Sequence, residues 1–139
     1  MRHRPDRPPR RGVTAVECAV VFPVTFLLLL GLIIGGLGIF RYQQTAALAR
    51  EGARWASVHG FQYQQTTRKP AATPEDVYNQ AIRPKVVGMD TSRLSYTVTW
   101  EPDNKQGSYV RVTVTYQWVP EAFLGGITLS STSRMMMSY

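Results

Sequence analysis

From Cys18 to Phe40 the chain carries no charged residue across 23 positions. At ~1.5 Å rise per residue, such a run makes roughly 34 Å of α-helix, enough to cross a bilayer core of about 30 Å. The run VVFPVTFLLLLGLIIGGLGIF is apolar on every side. A helix that covers a soluble core shows a polar stripe instead. The rest of the chain is therefore organised as what lies before a membrane span and what lies after it.

Before it stands MRHRPDRPPRRG, with five arginines against Asp6. That block holds +4 of the formal charge of +7, and the remaining +3 is spread without a cluster. A basic block beside a span marks the cytoplasmic side, so the N-terminus is expected inside and the C-terminal domain outside. Nucleic-acid binding is not expected, because no basic stripe is left on the mature domain.

Glu17 is the exception in this apolar stretch. A carboxylate in the bilayer costs about 2.5–3.5 kcal/mol on the insertion scale, and less near an end where it can reach the interface. Glu17 is thus either a boundary residue or a residue with a partner. If the chain is cut after Gly12, Val13 becomes the first residue and Glu17 the fifth, and a new α-amino group lies near the carboxylate.

A basic leader ending in glycine, then VTAVE opening an apolar helix, resembles the precursors of type IV pilins. RRGVTAVECAVVFPVTFLLLLGL, with Pro23 inside, and LAREGARWAS after it are similar to the TadE-like branch of the tight-adherence (Tad) pilus system. The resemblance covers roughly the first 58 residues. It implies a pilin-like α+β fold, and cleavage by prepilin peptidase between Gly12 and Val13. It also implies a role for Glu17 in assembly, and partners among other pilin subunits and the Tad inner-membrane platform. The function implied is that of a pseudopilin or minor pilin in pilus assembly, adhesion or secretion. It would sit as a single-pass protein of the bacterial inner membrane and in an extracellular pilus. The alternative is an uncleaved single-pass anchor presenting an extracytoplasmic binding domain. Many relatives carry Phe or Tyr after the Glu, where this chain has Cys18. Many carry a second acid late in the helix, where this chain reads GGLG.

Chemistry-bearing motifs are otherwise scarce. Cys18 is the one cysteine, so no internal disulfide forms. It reads as a small buried apolar residue, with lipidation or redox chemistry the less common alternative. An ordinary secretory signal has an apolar region of about 7–15 residues, shorter than this one. His59 has no ligand partner at metal spacing. No Ser/His/Asp set, H-E-x-x-H, C-x-x-C or P-loop occurs. Enzyme activity, a cofactor, a metal and a small-molecule substrate are therefore not expected.

In order along the chain, residues 1–12 form the leader, 13–40 the span and 41–139 an extracytoplasmic domain. Gly31 and Gly35 form a G-x-x-x-G pair. The pair is either a helix-packing face or the general abundance of Gly in membrane helices. The helix is expected to continue over 41–59 and to stop at Gly60. Ala46, Ala49, Gly52, Ala53 and Ala56 recur at helical spacing and form a narrow packing stripe. Glu51 is placed to pair with Arg54. Residues 61–74 read as a polar surface loop. Thr73-Pro74-Glu75-Asp76 signals a helix start for a short helix over 74–83, with one more turn ending at Gly88.

The apolar period then becomes two. Strands are expected at about 94–100 and 109–119, an antiparallel hairpin across EPDNKQGS. A third, 127–137, looks less regular because Ser130-Ser131-Thr132-Ser133 interrupts its alternation. The Ala-rich stripe is the expected cover for the hairpin's apolar face. The expected topology is checked by fusing reporters after Tyr139. A reporter active only outside the cytoplasm should work there, and one active only in the cytoplasm should not.

Overall fold

The computed structural model describes residues 11–120 and 125–138. Its elements are a long helix α1 (Arg11–Ser57), the short helices α2 (Phe61–Thr67) and α3 (Pro74–Val77), and the strands β1 (Leu94–Glu101), β2 (Tyr109–Trp118) and β3 (Ile127–Met136). The class is α+β. The chain divides into two compact units between Gly36 and Leu37.

In the first unit α1 begins at Arg11, two residues before the expected start, and continues through Pro23. From Thr14 to Gly36 every side chain is exposed except Cys18 and Ile34, which are half-buried. Among the described residues this is the one helix long and apolar enough to cross a membrane.

In the second unit α1 ends at Ser57. The N–H groups of Val58 and His59 turn back to the carbonyls of Trp55 and Ala56, tightening the last turn. Gly60 is not a left-handed stop. Its φ is −84°, and it is the N-cap of α2. The segment expected as a loop over 61–74 therefore contains a two-turn helix. FQYQQTT has no Gly or Pro to break it, and its first N–H, that of Phe61, is taken by the Asn104 carbonyl at 2.9 Å. None of its residues is buried, so it has no apolar periodicity to betray it.

The helix start at Thr73 has a full capping box. The Asp76 N–H donates to Thr73 Oγ1 at 3.2 Å, and the Thr73 N–H donates to Asp76 Oδ2 at 3.0 Å. The helix does not continue as a plain α-helix to residue 83. It widens into a π-turn over Tyr78–Ile82, closed by the Arg83 N–H to the Tyr78 carbonyl, and then tightens to a 3₁₀ turn over Arg83–Lys85. Pro84 explains the change: it has no N–H to offer Gln80, and its ring crowds that carbonyl. The further turn comes later than expected, over Thr91–Arg93.

The sheet is antiparallel in the order β1-β2-β3. Val98 pairs with Val112 and Trp100 with Val110, while Tyr116 pairs with Leu129 and Trp118 with Ile127. The third strand is regular after all. Its register with β2 runs from Ile127 to Met136 without a bulge. Backbone pairing with β2 tolerates the serines, which alternate between the two faces.

One face of the sheet holds Val98, Val110, Val112, Val114, Tyr116 and Trp118, all buried. Leu48, Ala49, Ala53 and Ala56 of α1 and Val77, Ala81 and Ile82 complete the core. The opposite face is hydroxyl-rich. Thr113 and Thr132 share a hydrogen bond at 2.9 Å, as do Thr115 and Ser130 at 3.1 Å. The three consecutive methionines divide: Met137 is buried, Met135 half-buried and Met136 exposed.

Glu51 pairs with Lys85 at 2.6 Å rather than with Arg54. That hydrogen bond holds the Glu51 carboxyl below the usual carboxylate range. The Thr73 backbone and hydroxyl do the same for Asp76. A lowered carboxylate contributes stability above its ordinary value of 3.8, and the contribution is lost as pH falls below it. Thr73→Ala should cost about 1 kcal/mol at neutral pH. The gap to the parent should begin to narrow in urea unfolding as the pH falls below 3.8 and close further as it passes the lowered value at which folded Asp76 protonates.

Candidate functional site

The residues singled out by sequence lie on α1, in two groups. The first group is Gly12, Val13 and Glu17. Gly12 and Val13 fall in the helix's first turn. Val13 and Glu17 are four residues apart, which places them on one face, one turn from each other. Glu17 is exposed, and no ion pair among the described residues includes it. It is the single charged residue between Arg11 and Arg41.

The second group is the glycine and alanine positions. Gly31 and Gly35 are exposed, and a Cβ built on either meets nothing within 4 Å. Neither glycine packs against any described residue. Ala49 and Ala53 are fully buried, and Gly52 is buried between them. A Cβ on Gly52 would lie 3.1 Å from Val112 Cγ1 and 3.3 Å from Ile82 Cδ1.

Two residues that sequence reasoning passed over belong with these. A Cβ on Gly38 would lie 2.9 Å from Cζ3 of Trp118, the buried last residue of β2. The indole is thus seated on the helix backbone at Gly38, inside the run with no charge. An inward aromatic at the end of a strand was legible. Its seat was not, because no one-dimensional pattern links positions 80 residues apart.

Residues 12–54 match the family model described as TadE-like protein. This segment is TadE-like. No curated protein and no solved structure matches the chain. The TadE-like match ends within α1. It takes in both groups of residues and leaves the sheet outside. It supports a Tad pilus-related role of the minor-pilin kind in general terms.

Beyond the match, the end of α1 carries an aromatic stack. Trp55 and His59 lie parallel with centroids 3.9 Å apart, and Tyr63 follows at 4.6 Å. His59 Nδ1 lies 2.8 Å from the Trp55 carbonyl. A carbonyl only accepts, so Nδ1 carries the proton, and Nε2 is the nitrogen left to the outside. The three rings with Lys69, Asp76 and Gln80 line an open groove of about 390 Å³. Among the described residues no three His, Cys, Asp or Glu side chains are grouped to hold a metal.

The glycines separate two kinds of contact. Gly38→Val and Gly52→Val should each destabilise the folded domain by about 1–3 kcal/mol, the range for overpacking. Gly31→Val and Gly35→Val should leave it unchanged. Thermal melts followed by near-ultraviolet circular dichroism in detergent micelles would check all four.

Proposed function

We propose that this protein is a pseudopilin or minor pilin of a Tad-type pilus, made as an inner-membrane precursor and cut by prepilin peptidase after Gly12. The observation that carries the reading is the exposed apolar half of α1. Among the described residues its side chains are left exposed apart from the half-buried Cys18 and Ile34, and Glu17 is the one charge set among them. A lipid bilayer covers such a surface in the precursor. The helices of neighbouring subunits cover it in an assembly, where Gly31 and Gly35 allow close approach. The TadE-like match over residues 12–54 supports the same reading.

Cleavage gives Glu17 its partner. The α-amine of Val13, on the same chain or a neighbour, lies within reach one turn away. At ~4 Å and an effective dielectric of about 20 the attraction is about 4 kcal/mol, comparable with the insertion cost of about 2.5–3.5 kcal/mol. The pair therefore roughly cancels the penalty and sets helix register rather than adding net stability. It exists only after processing, so cleavage acts as the licence for assembly. The arginines of the leader stay in the cytoplasm, and the second unit, built on the sheet, lies outside.

Mass spectrometry of the protein from cells should give Val13 as the N-terminal residue, and Gly12→Leu should leave the precursor uncut. Glu17→Ala and Glu17→Gln should insert and be cut, then accumulate in the membrane as processed subunit that does not assemble. An intact leader on the mature protein would instead support the uncleaved single-pass anchor. Assembly of both Glu17 variants at the parent level would make Glu17 a boundary residue.

A further inference from the structure

We propose that β3 is an interface strand, which pairs antiparallel with β3 of a second copy of this chain about a two-fold axis at Thr132. The proposal rests on the sheet alone and holds whether or not the leader is removed. β3 is an outer strand of the sheet, hydrogen-bonded to β2 on one side and, among the described residues, to no further strand. A free edge is a template for another strand, and proteins that keep theirs unpaired make it short, bulged, or studded with Lys or Pro. Of these devices, and of charged side chains in general, this edge carries only the single Arg134. It is ten residues long, its register with β2 is unbroken, and it contains neither Lys nor Pro. The other outer strand, β1, is shorter, and α3 packs near it. Tyr78 of the following π-turn stacks on its Tyr96 at 4.5 Å.

The occupant follows from the order of side chains along the strand. Reflected about Thr132, ITLSSTSRMM sets Ser131 against Ser133 and the apolar Leu129 against the apolar Met135, while Ser130 meets Arg134 and Thr128 meets Met136. In an antiparallel pair centred there, Leu129 faces Met135 of the other copy, and Ser131 faces Ser133. On the hydroxyl-rich face Ser130 faces Arg134, Thr128 faces Met136, and Thr132 faces itself. Apolar residues thus meet apolar residues toward the core side, where Ile127 is 48% exposed and Leu129 and Met135 are only half-buried. The one charge, Arg134, never faces its own copy. The two arginines stand four residues apart along the pair, about 13 Å, beyond the screening length of about 8 Å. A self-complementary patch is what a two-fold dimer requires, and strand addition supplies main-chain hydrogen bonds as its adhesive.

The test uses the full chain in detergent micelles, with Cys18→Ala to remove the native thiol. Thr132→Cys puts two thiols opposite each other on the axis, and oxidation or a short bis-maleimide should link them. Thr128→Cys puts its two thiols about 26 Å apart and should link at least tenfold more slowly. Joined with Met136→Cys it should link at the faster rate. Thr132 lies on the exposed face, so Thr132→Lys and Thr132→Glu are tolerated by the fold, as near-ultraviolet circular dichroism would verify. Each alone sets like charges in direct opposition. Each should lower the dimer population by at least tenfold, and mixing the two should restore a heterodimer. Equal linking at Thr128 and Thr132, no linking at Thr132 in folded protein, or no rescue on mixing would overturn the proposal. So would open-ended oligomers, which mark pairing of β3 with β1 of another copy.

Discussion

The close approach of α1 to β2 at Gly52 is the contact on which the domain depends. With no side chain at Gly52 and only methyl groups at Ala49 and Ala53, the helix backbone comes down onto Val112 and Ile82. Any larger residue would hold the helix off the sheet and open voids beside Val110 and Val114, which are fully buried. Interiors packed at crystal-like density do not absorb such a displacement. The same device recurs at Gly38, where the indole of Trp118 lies on the helix backbone. Small residues thus set the spacing, and the larger ones at Ile82, Val112 and Trp118 fill it.

That seam also decides which polar groups are buried and how they are satisfied. Thr45 is fully buried on α1, and its hydroxyl donates to the Arg41 carbonyl one turn back at 3.0 Å. Ser57 does the same with Arg54 at 2.8 Å. Neither leaves an orphaned group in the core, which would cost about 1–3 kcal/mol. At the opposite edge the backbone closes the domain. The Met137 N–H donates to the Ser108 carbonyl at 2.8 Å, the Met137 carbonyl accepts from the Gly107 N–H at 3.1 Å, and the Ser138 N–H reaches the Ser57 carbonyl at 3.0 Å. Ser138 is therefore tied to the end of α1, beside the buried Met137. The charged groups stay at the surface, where pairs such as Glu51 with Lys85 contribute little beyond orientation.

On α1 the contrast between its two compositions is a contrast of partners. Before Gly36 the side chains are large, apolar and exposed; in the stretch holding Ala49, Gly52 and Ala53 they are small and buried. The first composition suits an environment that supplies its own apolar surroundings. The second suits a fixed neighbour in the same chain. A TadE-like match that spans both and stops short of the sheet fits this division. The match covers the helix as far as Arg54 and does not extend to the sheet.

Several features were legible in one dimension because each rests on a local rule. The apolar span needs only an uninterrupted run. The capping box at Thr73 needs only four neighbouring residues. The hairpin needs only alternation across a turn. What the tertiary structure decided lies between distant positions or carries no period. Gly60 became the start of a helix rather than a left-handed stop, because Asn104 takes the next N–H. Glu51 found Lys85 across the core helices instead of its neighbour Arg54, because the turn at Pro84 brings the ammonium closer. The serines of β3, which look disruptive in sequence, lie in a regular strand because pairing with β2 is made by the backbone. Local chemistry determined the long apolar helix, the capped helix start and the hairpin, and made the N-terminal helix long and apolar enough to cross a membrane. Packing across long sequence separations determined which glycines are structural, since a missing Cβ acquires meaning only when something else occupies its place.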